Sequence, residues 1–312
     1  MLTIISFLSP AAFSRTIRRT CLVLSIFLFA ATTSARPHDG DISRRIDSIL
    51  DGRRMTVGIY ARCGNFEYRY NADMMFPLMS VFKVHVAMTV LERFRSEGIA
   101  VDSLVHVSRE SMHEDTYSPL RDRHPKGDFD ISVADLIRSS VSESDNNACD
   151  LLIDMAGGVE NVDRYVRRTL GVRGMRLRWN EDDMHRDVGR SRDNRATPYS
   201  MYRVLEKVFE GRSDMFGLLR EAMTATVTGR DKIRAGIPEG MSVAHKTGSS
   251  DRIAGVKIGD NDAAAVILPS GEICYMVIFI KDSRESDAAN AAVMAAVARE
   301  IIGAVSLMHT AE

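Results

Sequence analysis

The chain is poor in several things that other proteins build on. Its 312 residues include four cysteines, one tryptophan and eight prolines, so no dense disulfide framework carries the fold and a packed core must. It has almost no net charge. The 41 basic and 42 acidic residues leave −1, which excludes a global field for nucleic acid or an anionic membrane surface and makes any anion binding local. No internal repeat, linker or low-complexity tract is present. There is no HExxH and no paired Cys/His spacing, so Asp182, Asp183 and His185 are not read as a metal site, and neither metal nor cofactor is expected. Gly157-Gly158 lacks phosphate-loop context and reads as a helix stop. What remains is ordinary: 45% hydrophobic and 27% charged residues, enough for a sizeable core in one large domain or two small ones.

Long apolar runs are also scarce. One stands out, Cys21–Ala30, preceded by Arg15, Arg18 and Arg19 and followed by the small-residue stretch Ala31–Ala35. It reads as a signal peptide (residues 1–35) cleaved near Ala35, because the run falls short of the roughly 20 residues that span a bilayer. No other stretch is read as long enough to span. The expectation is an exported protein, periplasmic or secreted, with no membrane attachment after cleavage and a mature chain of residues 36–312. Export makes Cys63, Cys149 and Cys274 candidates for one disulfide. Cys149 falls on an apolar helix face and is simplest as a buried hydrophobe.

Residues 55–62 and 66–70 alternate and are β-rich, with Cys63-Gly-Asn65 between them, which predicts a hairpin. From Pro77 the pattern turns helical. Val81, Val84, His85, Met88, Leu91 and Phe94 form a mostly apolar stripe that also includes Glu92, with Gly98 at its end. Further helices are predicted near 132–142, 146–156, 159–170, 198–210 and 213–225, with almost no strand signal among them. Strands return at 242–247, 263–268 and 273–280, and an alanine-rich helix covers about 285–304. The fold class is therefore α/β, an antiparallel sheet built from both chain ends with flanking helices, plus an inserted all-helical subdomain. The sheet part is about 36–75 and 226–312, and the helical part about 76–225.

Three short motifs follow one another: Ser80-Val-Phe-Lys83, Ser144-Asp-Asn146 and Lys246-Thr-Gly248. Ser80 is placed in the first turn of the helix begun by Pro77, where free N–H groups favour a developing anion, and Lys83 lies on the same helical face, able to accept or shuttle the Ser80 proton. S-x-x-K alone arises by chance roughly once in a chain this long. Ser144-Asp145-Asn146 is composed of good N-cap residues, so a plain cap is its structural reading. Functionally, Ser144 would donate a proton to a departing nitrogen and Asn146 would hold a substrate amide. Lys246-Thr247-Gly248 closes a strand with a cation, a hydroxyl and a residue without a side chain, which suits a substrate carboxylate. Each triplet occurs by chance in about one chain in ten or twenty. Their joint order, on a helix start and a strand, is another matter.

The set resembles class A β-lactamases, nearest their extended-spectrum cephalosporinase subgroup, over nearly the whole mature chain. The resemblance implies a β-lactamase/penicillin-binding transpeptidase-like fold and β-lactam hydrolysis giving antibiotic resistance, cephalosporins included. An acyl-enzyme on Ser80 is implied, with an oxyanion hole from the N–H groups of Ser80 and Ser249, and carboxylate recognition by Lys246 and Thr247. Tyr117 matches an aromatic cleft wall. Residues 179–185 resemble the omega loop, where Glu181 would activate the hydrolytic water. Glu181 separates this reading from a D-Ala-D-Ala peptidase or a non-hydrolysing β-lactam sensor of the same fold. Two positions depart from the common pattern: His185 stands where the family often has Asn, and Asn261 where many members carry an arginine, a charge that Lys232 or Arg234 could supply. Asp150 and Asp182-Asp183 carry the subgroup likeness. Arg186, Arg190, Arg192 and Arg195 read as a solvated loop face. A monomer is implied, with a small β-lactam as substrate and no nucleic acid partner. In this fold the first strand pairs with the last, which would bring Cys63 beside Cys274 for a disulfide.

Overall fold

The structure, a computed structural model, describes residues 39–210 and 214–310. The proposed signal peptide lies outside the described residues. The first described element, α1 (Asp39–Leu50), was not expected, although Ile42, Ile46 and Ile49 give it an i, i+4, i+7 stripe with Ile42 and Ile46 buried. The hairpin follows as β1 (Thr56–Cys63) and β2 (Phe66–Tyr70).

The helix expected from Pro77 starts later. Phe76–Pro77 instead pairs with Arg195–Ala196 as a two-residue strand, Met79–Phe82 forms a 3-10 turn, and only then does α2 (Lys83–Glu97) begin. The interruption has a local cause: Met79 holds φ +48°, which no right-handed helix accommodates. Every residue of α2 from Lys83 to Leu91 is buried, so the helix is central and its apolar stripe is wider than one face. Gly98 at φ +67° ends it, Ile99 N–H donating to Phe94 O at 2.8 Å.

Four inserted helices form near their predicted places, α3 (Val133–Ser142), α4 (Asn146–Met155), α6 (Pro198–Glu210) and α7 (Gly217–Thr224), while the short helix α5 (Glu181–Arg186) forms where only a loop was expected. The stretch 159–170 divides into Val159–Arg164 and a π-helical turn Tyr165–Thr169. Gly157 and Gly158, at φ +82° and +95°, break the chain before it. The region is not free of strands, because Leu104–Val107 pairs with Phe129–Ser132.

The sheet is completed by β3 (Ser242–Ser249), β4 (Val256–Ile267) and β5 (Ile273–Ser283), in the antiparallel order β2-β1-β5-β4-β3, and the short segment Arg252–Ile253 also pairs with β4. The alternation of β5 divides the core. Cys274, Met276, Ile278 and Ile280 pack on one face with α1 and α8 (Asp287–Thr310), whereas Tyr275, Val277 and Phe279 face the helical insertion. β4 begins seven residues before the predicted 263. Its start, Val256–Asp262, carries Lys257, Asp260, Asn261 and Asp262, and all four are buried, so apolar alternation could not reveal it. By length and composition α8 would suffice to cross a membrane, which corrects the reading that no stretch beyond the N-terminal run is apolar for long enough. In the structure Val293, Met294, Val297 and Ile301 of α8 are buried against the sheet.

Candidate active site

Two backbone segments meet at the nucleophile candidate. β3 is the edge strand, and a Cβ added at Gly248 would sit 2.6 Å from Leu78 O and 3.0 Å from Ser80 N. Only glycine lets the strand approach the Ser80 turn this closely. Ser250 N–H donates to Gly259 O at 2.9 Å. Antiparallel alternation then leaves Ser249, opposite Asp260, with its N–H turned off the sheet edge.

The turn before Ser80 is held from behind by Asn261, whose Nδ2 donates to Pro77 O at 2.6 Å and Leu78 O at 3.0 Å. Asn261 is therefore not a vacant arginine position facing substrate. It is a buried tie between β4 and the strained Met79. Of the two cations named as substitutes, Lys232 is already engaged. Lys232 is buried and paired with Asp260 at 2.6 Å, and Arg234 is exposed in the turn Ile233–Gly236.

Across the cleft, Asp145 caps α4 by accepting from Ala148 N at 2.8 Å. The cap reading and the site reading of this motif are compatible, because Asp145 performs the first while its neighbours face inward. Ser144, at φ +64°, brings Oγ within 2.8 Å of Lys246 Nζ. Lys83 Nζ donates to Ser144 O at 2.6 Å and Asn146 Oδ1 at 2.6 Å and is ion-paired with Glu181 Oε1 at 3.0 Å. Burial, with the Lys83 charge adding to it, pushes Lys246 well below the ordinary lysine range.

Glu181 begins α5, capped by Asn180 and anchored from below. Asp150 accepts from Glu181 N at 2.8 Å and Asp182 N at 2.9 Å. Burial and then the adjacent Glu181 charge raise the Asp150 carboxyl to about 7. Asn194, which sequence reasoning missed, joins the two sides: Leu78 N donates to its carbonyl at 2.7 Å, while its side chain accepts from Arg178 N and Trp179 N and donates to Trp179 O. An Asn in a loop of mixed charge carries no signal of such a role.

Ser80, Asn146, Glu181, His185, Ser249 and Asp251 line one cleft of about 130 Å³. Tyr117 is 57% exposed, and its carbonyl accepts from Asn146 N at 3.0 Å. Thr247 Oγ1 lies 2.7 Å from Thr228 Oγ1. The acidic residues near Glu181 do not converge, since Asp182 pairs with Arg186 and His113, and Asp183 with Arg190. Arg190 also lies over the Trp179 ring, 4.3 Å from its centroid, and Arg192 pairs with Asp282, so part of the basic run is spent on holding the loop.

The sequence matches the β-lactamase enzyme family over residues 41–305. It is 39% identical over 289 residues to a β-lactamase of Bacteroides uniformis, covering 91% of this chain and 97% of that protein. It is 33% identical over 265 residues to the extended-spectrum β-lactamase PER-1 of Pseudomonas aeruginosa, covering 83% and 85%. The crystal structure of a class A β-lactamase representative from Bacteroides cellulosilyticus superposes with a TM-score of 0.83 at 38% identity, over 87% of this chain and 99% of that one. Likeness at these identities and over this much of both chains is decisive: the chain belongs to the β-lactamase enzyme family, among its class A serine enzymes.

Proposed function

We propose that this enzyme opens the β-lactam ring by acylating Ser80 and frees itself by a water activated at Glu181. Lys83 in its ammonium form has no lone pair, so it acts as a base once it has passed a proton on, most directly to Glu181, 3.0 Å away. It then takes the Ser80 proton as the hydroxyl attacks the ring carbonyl. The N–H groups of Ser80 and Ser249 receive the developing oxyanion. Ser144 gives its proton to the ring nitrogen as the amide bond breaks, and Lys246, 2.8 Å away, holds that hydroxyl in place. Lys246 and Thr247 take the substrate carboxylate, while Asn146 and Tyr117 flank the acyl side chain. Lys83 returns a proton to Ser144 and takes back the one held by Glu181, and the restored carboxylate then accepts a proton from water attacking the ester and passes it to the departing Ser80 oxygen.

The observation that carries this reading is the position of Glu181, buried on the same cleft as Ser80 and ion-paired with Lys83. A peptidase or a sensor needs no such carboxylate. The proposal extends to cephalosporins as well as penicillins, export by cleavage of residues 1–35, action as a monomer, and independence of metal, nucleic acid and membrane in the mature protein. Intact-mass spectrometry after mixing with excess penicillin tests it. The enzyme should consume the drug and return to its unmodified mass, and Ser80→Ala should never gain the adduct. A persistent adduct on the unaltered enzyme would favour the peptidase or sensor, and an adduct on Ser80→Ala would displace the nucleophile.

A further inference from the structure

We propose that Cys63 and Cys274 are a disulfide-forming pair that staples the first strand of the sheet to the last. The structure holds both as free thiols, and the β1–β5 ladder sets them directly opposite one another. Opposition alone does not suffice, because antiparallel pairs alternate between two geometries and cysteines meet best in the non-hydrogen-bonded one.

The neighbouring ladders settle which geometry this is. Gly64, at φ +50°, and Asn65 make a two-residue turn, so Cys63 and Phe66 are the closing pair of the hairpin. A closing pair exchanges its backbone hydrogen bonds, and the N–H and C=O of Cys63 therefore face β2. On the other side, Leu268 N–H donates to Glu272 O at 2.9 Å. Two residues along, Cys274 opposite Val266 has the same phase and turns its backbone groups toward β4. Each cysteine thus spends its backbone away from the other. The two form a non-hydrogen-bonded pair, whose Cα atoms stand about 4.5 Å apart with side chains at their closest. That lies at the near edge of the roughly 4.4–6.8 Å that disulfides span.

The side chains agree with the backbone. Both belong to the apolar cluster under α8, and the Cys274 thiol is raised well above its ordinary range, first by a hydrogen bond to Cys63 and then by burial. A cavity of about 150 Å³, lined by Cys63, Phe66, Glu272, Val305 and Met308, opens beside Cys63 but does not include Cys274. Cys149 is fully buried on α4 in the other core cluster. Cys63 is therefore the sulfur an oxidant reaches.

The oxidant is a disulfide, either a small molecule such as oxidised glutathione or a thiol–disulfide oxidase. The Cys63 thiolate attacks one sulfur of that disulfide and displaces a thiolate. Cys274 then gives up its proton and attacks the Cys63 sulfur of the mixed disulfide, expelling the second thiolate. The cysteine pair loses two electrons and two protons, and the oxidant leaves as two thiols.

The test is to equilibrate the full chain overnight near pH 8 with oxidised glutathione and map its peptides without reduction. The expected result is a linked Cys63–Cys274 peptide two hydrogens lighter than the free pair. The oxidised protein should melt about 10 °C above the reduced one, a gain absent from Cys274→Ser, with β-lactam turnover unchanged. Recovery of both peptides as free thiols, a glutathione adduct stalled on Cys63, or a linked form that melts no higher would overturn the proposal.

Discussion

The two halves of the sheet are built from different chemistry. Where β1 meets β5, the ladder pairs Val57 with Ile280, Ile59 with Ile278 and Ala61 with Met276, all buried and apolar. Where β4 meets β3, it pairs Asp262 with Thr247 and Asn261 with Gly248, next to His245 and Lys246. His245 and Asp262 are fully buried with their side chains 3.0 Å apart. The first half is held by removing hydrocarbon from water. The second holds its buried polar side chains through specific partners, His245 Nε2 excepted, and it is the half that borders Ser80. Stability and chemistry are therefore unevenly divided across one sheet, and substitutions on the two sides should separate them.

The largest effect is expected from Lys246→Ala. It removes a buried cation that touches Ser144 Oγ and would meet the substrate carboxylate, and it should lower kcat/KM by about 10²- to 10³-fold. The loss should shrink for an ester analogue lacking that charge. Equal discrimination between acid and ester by wild type and variant would remove Lys246 from carboxylate binding.

A paired substitution sharpens the contrast. Ile278→Ala in the apolar half should cost about 3 kcal/mol of stability by cavity formation and leave kcat near its original value at a temperature where the variant is folded. Asn261→Ala in the polar half should cost about 2 kcal/mol, because it strips hydrogen bonds from the carbonyls of Pro77 and Leu78. It should also lower kcat by loosening the Ser80 turn. Denaturant melts and initial rates on the same samples check both, and a kcat unchanged in Asn261→Ala would make that residue purely structural.

The same division explains what could be read from sequence. The strands 55–62 and 273–280 followed from alternation and turn residues, because in the apolar half burial and hydrophobicity coincide, whereas the opposition of Cys63 and Cys274 rested on the strand pairing that the family resemblance implies. The start of β4 was missed because Lys257, Asp260, Asn261 and Asp262 look like a surface loop until their partners are known. Lys232 looked available as a substrate cation for the same reason, and only Asp260 shows it to be engaged. Ser80, Lys83, Ser144 and Lys246 were legible through motif order. The ties behind them, Asn261 and Asn194, were not, since a single amide with backbone partners far along the chain leaves no local pattern. The late start of α2 depended on the positive φ of Met79, which composition does not announce.

A further effect is expected in the pH dependence at Asp150, where the polar region continues under Glu181. Its folded carboxyl is raised to about 7, above the roughly 3.9 of an unfolded chain. The fold thus keeps a proton that the unfolded chain has lost between about pH 4 and 7. This contribution to stability is fully present below pH 4 and is lost as pH rises through 7. The stability of wild type minus that of Asp150→Asn should fall over this window, by at most about 1.4 kcal/mol per pH unit. A difference that stays flat in urea melts from pH 4 to 7 would place the Asp150 carboxyl in the ordinary range.

The division of labour at the site is tested most directly by Glu181→Ala mixed with a good substrate and followed by intact mass over time. If Glu181 activates the deacylating water, the variant should be acylated at Ser80 more slowly, Lys83 losing its proton to water instead, and the adduct once formed should accumulate and persist while steady turnover collapses. Normal turnover with no lasting adduct would contradict the account and move the hydrolytic water to another base.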